Sequence, residues 1–573
     1  MSSLRPAGAA LRRKIVLAAC VLVAVWQCHA LRWTCDDAFI SFRYAQNLAL
    51  GRGLVFNAGE RVEGYTNFLW TVGIAPAFAF GVSPETWTQV FGAAAFAATV
   101  WILGALHFAF ARRAGWSALA VPLACALAAT HREWAVFAVS GLETSAFTLC
   151  VASAFAALVW PSEVRPSLRG ALAGALFGLG VLFRPDGVVF AGAAASWLAV
   201  QVAIAHRSGA HRTEVRALVC FVALFGVFVG AHLLFRVRYY GDLFPNTYYA
   251  KSASVAWYGQ GLRYLWCYLL RYPPLALWPL ALLWLSSRPT TSRARQVLLR
   301  PATLAALLAT AHVAWVVRVG GDFMFGRFLV PATPFALFIL EAALCSETEA
   351  RPRTVSSFTV AAVAAFVLLP SPIASGLLDS GIADEHAFYS DERVAVIDDR
   401  AARVKPILDG LGARVAFYSA QARFVYRAEI PTAVESETGL TDAFVARQTL
   451  PERHRVGHEK KAPPGYLVDV RRVHLASVEH ITAFDAYIPY VPADLHGVRM
   501  QVLHWDPAFV RSIRQRGALV ADYPSMLEGT IASLDTMSRE RALLEYERAR
   551  RFYFAVVSDP QRERAFLARL ERE

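Results

Sequence analysis

The sequence predicts a polytopic α-helical membrane protein of about eleven transmembrane helices over residues 1–376, followed by a soluble α/β domain over residues 377–573. Long apolar blocks, a one-sided distribution of basic loops, and an abrupt change of composition near residue 377 lead to that class. Of 573 residues, 56% are hydrophobic and only 18% charged, and the mean hydropathy is +0.39. That is too apolar for a soluble enzyme of this size. The formal net charge of +13 therefore reads as cationic cytoplasmic loops and not as a nucleic-acid surface.

Arg12, Arg13 and Lys14 precede the apolar run that starts at Ile15, in the manner of a secretory signal, and Leu17-Ala18-Ala19-Cys20 resembles a lipoprotein cleavage box. The apolar run continues well past Cys20, so a retained anchor over 15–32 is expected. Further spans are expected at 87–110, 116–131, 136–160, 170–184, 187–205, 215–236, 273–287, 300–317, 326–346 and 354–376. With the N-terminus cytoplasmic, the inner loops carry Arg112/Arg113, Arg165/Arg169, Arg207/Arg212, Arg288/Arg293/Arg295 and Arg351/Arg353, as the positive-inside rule requires. External segments then cover 32–86 and 237–272. Residues 67–81 are apolar but must not span if this parity holds. They read as a helix at the outer interface anchored by Trp70; an ordinary short span is the alternative and would invert everything downstream. The eight cysteines stop at Cys345 and show no metal-ligand spacing, so they read as packing residues. Beyond residue 377, charges are dense and apolar residues periodic. Residues 415–417 and 423–426 are expected as short strands and 538–550 as a charged surface helix.

The outward side collects the polar constellations: Asp36-Asp37, Glu60, Glu63, His131-Arg132-Glu133, Gly141-Leu142-Glu143-Thr144, Arg184-Pro185-Asp186-Gly187, the run from Tyr239 to Lys251, and Gly320-Gly321-Asp322 through Arg327. Ionisable groups beside a bilayer point to function. On a helix, Asp36 and Asp37 would diverge by about 100°, so they are not a shared-proton dyad. One can act as general base on an acceptor hydroxyl while the other orients it or holds a ligand hydroxyl. Acids favoured by a helix N-terminus are the plainer reading. Arg43, Arg132, Arg184, Lys251, Arg318 and Arg327 lie on the side where the topology rule does not place cations. The guanidinium fork suits phosphate, although each could instead snorkel or pair with a neighbouring acid. No phosphate loop, dinucleotide fingerprint, zinc-helix motif or Gly-x-Ser-x-Gly elbow is present. A lipid-phosphate donor fits the outer face better than a nucleotide sugar.

These residues resemble a known family. Asp36-Asp37-Ala38-Phe39-Ile40-Ser41-Phe42-Arg43-Tyr44, Gly51-Arg52-Gly53-Leu54-Val55-Phe56-Asn57, Gly141-Leu142-Glu143-Thr144, Arg184-Pro185-Asp186-Gly187, the run Tyr240 to Lys251, Gly320-Gly321-Asp322-Phe323-Met324, Gly439-Leu440-Thr441-Asp442 and Gly457-His458-Glu459-Lys460 look like the mycobacterial terminal β-(1→2)-arabinofuranosyltransferase group of GT-C glycosyltransferases. Similar proteins are also labelled flagellar motor control proteins. The resemblance covers about residues 33–470. It implies a GT-C fold in the bacterial inner membrane, with the soluble domain periplasmic. It also implies transfer of a sugar, an arabinofuranose-like pentose first, from a polyprenyl-phosphate donor to a cell-envelope glycan or lipid acceptor. Asp36 matches the family's catalytic carboxylate, with Asp37 beside it. Arg43, Tyr44, Glu63, Arg132, Glu143, Arg184, Asp186, Asp242, Asn246, Tyr248, Lys251, Asp322 and Arg327 are then expected around the donor, and Asp442 and His458 on the acceptor side. For residues 457–460 a structural turn is the blander reading. No cofactor is demanded, although Asp36 and Asp37 could hold a divalent cation through oxygen ligands. Membrane lipids are expected partners and nucleic acid is not. The alternative is a non-catalytic envelope or motor-associated protein, or a lipid-glycan flippase, that shares the fold.

Overall fold

A computed structural model describes residues 4–114, 121–207, 211–287, 293–345, 352–373, 381–418, 421–450, 452–453, 455, 457–477 and 484–572. The chain divides into two units: 1–41, 66–243 and 253–389 form the first, and 42–65, 244–252 and 390–573 the second.

The first unit is helical: α1 (Leu4–Ala30), the start of α2 (Ala38–Ala49), α3 (Phe68–Ala79), α4 (Pro84–Ala114), α5 (Leu123–Ala129), α6 (Arg132–Ala138), α7 (Thr144–Val159), α8 (Pro166–Phe183), α9 (Gly187–Arg207) and α10 (His211–Tyr240). The second unit holds α11 (Asn246–Ala250), and the first resumes with α12 (Tyr258–Arg271), α13 (Trp278–Ser287), α14 (Arg293–Val319), α15 (Thr333–Cys345), α16 (Pro352–Leu368) and the short α17 (Glu385–Phe388). Among the described residues, five stretches are long and apolar enough to cross a membrane: Pro84–Arg112, Pro166–Phe183, Gly187–Arg207, His211–Tyr240 and Arg300–Val319. They mark a multi-pass membrane protein.

Several expected spans fold differently. Of segment 116–160, the described residues form α5, α6 and α7, and α7 has 16 residues, about 24 Å of helix. The chain breaks at His131 and again at residues 139–143, so the polar groups there sit in turns between helices. α3 has 12 residues, too few to span, in line with the expectation for 67–81. Trp70, however, is buried: its indole donates to Gly141 O at 2.9 Å and its ring meets Phe183, so it is a packing residue and not an interfacial anchor. Arg288, Arg351 and the expected boundary at 376/377 lie outside the described residues.

Packing follows membrane rules, with close approach through small residues and aromatic interlock. Along α8, Gly170, Gly174 and Gly178 face α10. A Cβ on Gly174 would lie 2.2 Å from Phe221 O and one on Gly170 2.0 Å from Ala217 O. Phe155 meets Phe335 and Phe338 edge-on in the core, and such pairs add about 0.5–1.5 kcal/mol each beyond burial. Glu341, an acid inside the expected span 326–346, is buried with Oε1 3.0 Å from His107 Nδ1.

The second unit carries a six-stranded mixed sheet: β1 (Arg414–Phe417), β2 (Thr432–Glu435), β3 (Leu475–Ser477), β4 (Val491–Leu495), β5 (Val498–Val502) and β6 (Leu519–Val520), in the order β2-β1-β3-β5-β4-β6. β1 runs parallel to β2 and β3, and the other pairs are antiparallel. Around it lie α18 (Asp391–Leu408), α19 (Ala422–Arg427), α20 (Ala443–Ala446), α21 (Pro507–Gln515), α22 (Tyr523–Ala532), α23 (Arg539–Ala549) and α24 (Pro560–Glu571). The expected strand at 415–417 and helix at 538–550 are present. The expected strand at 423–426 is instead part of α19, because Arg423 is drawn onto Asp398 of α18 through two hydrogen bonds of 2.7 and 2.6 Å, which outweighs the local β propensity of Phe-Val-Tyr.

Candidate active site

In the first unit, the expected site residues sit at helix ends, each placed there by a local chain feature. Asp36 and Asp37 form the turn that leads into α2: their carbonyls accept from Phe39 N at 3.0 Å and Ile40 N at 3.2 Å. Asp36 is 4% exposed, whereas Asp37 is half-buried. Glu143 is the residue before α7. Arg184 follows α8 in an extended conformation, Pro185 stops that helix, and Asp186 precedes α9. Gly187 permits the corner, since a Cβ there would lie 2.9 Å from Val181 N. Asp322 and Arg327 come from the loop between α14 and α15, whose Gly321 at φ +74° leaves no room for a Cβ beside Tyr264.

These groups form one buried ion network. Glu143 Oε1 accepts from Arg327 Nη2 at 3.0 Å and Arg184 Nη1 at 3.3 Å. Glu143 Oε2 accepts from Asn67 Nδ2 at 3.1 Å. Arg184 holds Asp186 through Nε and Nη2 at 3.0 and 3.2 Å, and Arg327 Nη1 reaches Asp322 Oδ2 at 3.4 Å. The Arg184 guanidinium also covers the Phe328 ring at 4.5 Å. Burial alone would raise the Glu143 carboxyl pKa, but Arg327 and Arg184 outweigh it and hold it below its ordinary value. Burial would lower Arg327, but Glu143, Asp322, Asp37 and Cys35 together push it above its ordinary value. Cys35 is pushed well up, first by burial and then by the charges of Asp37 and Glu385. Asp37 thus belongs to the field that acts on Arg327.

A second cluster adjoins. Arg132 Nη1 meets Glu133 Oε1 at 3.2 Å and its Nη2 meets Asp384 at 3.5 Å. Its side chain is 29% exposed, against 5% for Arg184, so it is the open cation of the set. Arg271, at the end of α12, is buried with Nη1 unpartnered, its guanidinium 4.8 Å from the Tyr272 ring centroid. Glu133 Oε2 is also unpartnered, and burial raises this carboxyl against the pull of Arg132 and Arg271. Neutral His131 underlies them: its pKa is pushed down to about 3, first by burial and then by Arg271. Its Nδ1 accepts from Trp134 N at 3.1 Å, which leaves Nε2–H to donate to Tyr268 OH at 2.7 Å. Tyr268 in turn meets Thr333 Oγ1 at 2.7 Å.

The remaining expected residues lie outside these two clusters. Asp242 lies in the loop after α10, half-buried. Arg43, Tyr44, Glu63, Asn246, Tyr248, Lys251, Asp442 and His458 belong to the second unit, where most of them make scaffold contacts. Arg43 donates to Phe56 O at 2.7 Å, Asn57 Oδ1 at 3.1 Å and Pro431 O at 3.2 Å, and burial lowers it to about 10. Tyr44 donates to Val62 O at 2.6 Å. Glu63 O accepts from Asn246 N at 3.0 Å, and Asn246 Nδ2 donates to Gly439 O and Leu440 O. Tyr248 stacks on Phe244 at 4.6 Å, and the Lys251 stem lies against Gly457. Asp442 is the N-cap of α20 and also accepts from Tyr466 OH at 2.8 and 2.9 Å. His458 N closes a turn on Arg455 O at 3.0 Å, the plainer of the two readings for that motif. Among the described residues, no group of three or more His, Cys, Asp or Glu side chains converges as a metal-ligand set. Arg271, Asn67, Glu385 and Tyr389 are site members that the sequence reading missed.

No family model matches the chain. It is 29% identical over 344 residues to the terminal β-(1→2)-arabinofuranosyltransferase of Mycobacterium tuberculosis (53% of this chain, 51% of the relative). It is 30% identical over 345 residues to that of Corynebacterium glutamicum (54% and 48%). The chain thus spans about half the length of the curated relatives it matches. Among solved structures it is similar to ArnT from Cupriavidus metallidurans. The form bound to undecaprenyl phosphate gives a TM-score of 0.54 at 12% identity, covering 85% of this chain and 97% of ArnT. The apo form gives 0.51 at 13%, covering 86% and 98%. At that identity the likeness bears on the fold alone, and it is the GT-C fold that the motifs imply. The resemblance to the arabinofuranosyltransferases holds.

Proposed function

We propose that this protein is a membrane glycosyltransferase that moves a sugar, an arabinofuranose-like pentose first, from a polyprenyl-phosphate carrier to a cell-envelope glycan or lipid. It would act on the periplasmic face of the bacterial inner membrane, with the N-terminus cytoplasmic and the soluble domain outside. The observation that carries this is the Asp36-Asp37 turn set against the buried Glu143–Arg184–Arg327 network, in a chain about 30% identical to arabinofuranosyltransferases. ArnT, which shares the fold, has been crystallised with undecaprenyl phosphate, which supports a lipid-phosphate donor.

In this reading one aspartate takes the proton of the acceptor hydroxyl. The hydroxyl oxygen bonds to the anomeric carbon, and the bond from that carbon to the phosphate oxygen breaks, so the lipid phosphate leaves with its electron pair. The network contributes fixed charge in a dry setting. Arg184 and Arg327 are enclosed in their carboxylate pairs, whereas Arg132, though it also meets Glu133 and Asp384, is part-exposed, so Arg132, with Arg271 behind it, is the cation pair best placed to meet phosphate. The test is transfer by purified full-length protein in nanodiscs, from a panel of polyprenyl-phosphate pentoses and hexoses to envelope glycans, with Asp36→Asn and Asp37→Asn in parallel. Transfer abolished by one or both substitutions supports the reading; an active panel indifferent to both refutes it.

A further inference from the structure

The sequence assigns the residues after 376 to the soluble domain, yet residues 381–389 belong to the first unit. Three contacts pin this segment, each to an element that carries site residues. Ala383 N donates to Phe323 O at 2.7 Å and Phe325 N to Ala383 O at 3.0 Å, tying it to the loop of Asp322 and Arg327. Asp384 meets Arg132 and also caps α17 by accepting from Ala387 N. His386 stands edge-on to Trp33 at 5.6 Å and Tyr389 stacks on the same ring at 6.4 Å. Trp33 is itself fixed by donating to Val136 O at 2.9 Å, and Cys35 N by donating to Ser140 O at 2.8 Å, so the Asp36-Asp37 turn is held from both sides. Tyr389 is 5% exposed and Glu385 7%. The Tyr389 phenol is pushed well up, first by burial and then by Asp36, Glu385, Cys35 and Asp37.

We propose that residues 381–389 are a strap that holds the acidic turn in place, and that Tyr389 is a positioning residue that fixes the Trp33–Asp37 segment by seating its ring on Trp33. This rests on the transferase reading. The strap ties the Asp36-Asp37 turn, through Trp33, to the loop of Asp322 and Arg327 and to Arg132. A stacked pair of buried rings adds attraction beyond burial and favours one placement of the turn that follows Trp33.

The experiment uses full-length protein in nanodiscs with whichever donor the wild type accepts. Tyr389→Ala removes the ring from Trp33 and should lower kcat about tenfold while leaving donor KM within about twofold, whereas Tyr389→Phe keeps the ring and should retain wild-type kcat. A Tyr389→Ala enzyme with wild-type kcat overturns the proposal. So does one that melts early and loses KM and kcat together, which would mean general packing. A second readout needs no turnover: the rate at which a maleimide alkylates Cys35, followed by mass spectrometry of its peptide. Cys35 is fully buried, and Tyr389→Ala should speed its labelling severalfold if the strap covers that turn; an unchanged rate overturns the placement. If the wild type moves no sugar from any donor, the transferase reading falls, while the labelling result still decides whether the strap covers the acidic turn.

Discussion

Glu143 and Arg327 face each other at 3.0 Å with both side chains buried, and the same Glu143 oxygen also accepts from Arg184. One carboxylate therefore joins α7, the corner between α8 and α9, and the loop before α15. Removing one member of a buried ion set leaves an uncompensated charge, at about 3–5 kcal/mol. Glu143→Gln should accordingly lower the melting temperature in detergent by several degrees, and activity with it. A variant that melts like the wild type would show that the network is not a structural joint.

The α8–α10 contact gives a steric prediction. Gly174→Val places a side chain where even a Cβ would meet Phe221 O at 2.2 Å, so backbone must move and the yield of folded protein should collapse. Gly192→Ala and Gly226→Ala, whose Cβ positions are open, should be purified at wild-type yield. Size-exclusion profiles of the three variants check this.

His131 makes stability depend on pH. The unfolded chain takes up this proton near pH 6.5, the folded chain only near about 3. The His131 contribution is thus complete above about pH 6.5 and declines as pH falls toward 3. His131→Asn keeps an acceptor for Trp134 N, because Asn is a good N-cap, but does not titrate. Its melting temperature should be lower than wild type at pH 7.5 and fall less steeply between pH 6.5 and 4.5. Parallel slopes for the two proteins would contradict this.

Asp442 separates a scaffold role from an acceptor role. It caps α20, accepts from Tyr466 and lies 3.7 Å from Arg471. Asp442→Ala should cost about 1–3 kcal/mol, seen as earlier unfolding, with acceptor KM unchanged in the protein that remains folded. An isolated rise in acceptor KM at wild-type stability would restore the acceptor reading.

Much of the first unit was legible because Gly and Pro punctuate it. Arg184-Pro185-Asp186-Gly187 announces a helix corner, and Asp36-Asp37 before an apolar stretch announces a helix start. What residue types cannot reveal is partnership. Arg184 and Arg327 read as phosphate ligands until the structure places Glu143 between them. Arg43 reads the same way until three acceptors in the second unit satisfy it. Arg271 was overlooked because a cation in the last turn of a helix has an ordinary explanation in the helix dipole. Tyr389 was missed because the compositional change near residue 377 suggested a domain boundary, while backbone hydrogen bonds to 323–325 carry the first unit on to residue 389. Residues 423–426 look like a strand because an ion pair to Asp398 has no signature in the local pattern.

The division among the arginines leads to the last prediction. If Arg132 and Arg271 receive the donor phosphate, substitution there should weaken donor binding without disturbing the fold. Arg132 is the more open of the pair, Asp384 also caps α17, and burial already raises the Glu133 carboxyl, so without the cation it can take up a proton. Arg132→Gln should therefore raise donor KM about tenfold, the worth of one charge-assisted hydrogen bond to phosphate at a part-exposed site, with kcat within about threefold. Arg184→Gln should do the reverse. It strands Asp186 and weakens Glu143, so stability drops before any kinetic constant can be assigned. Titrating donor against both variants, with melting curves run alongside, separates the two roles. Equal losses of stability in both would place Arg132 in the scaffold and leave Arg271 to meet the phosphate alone.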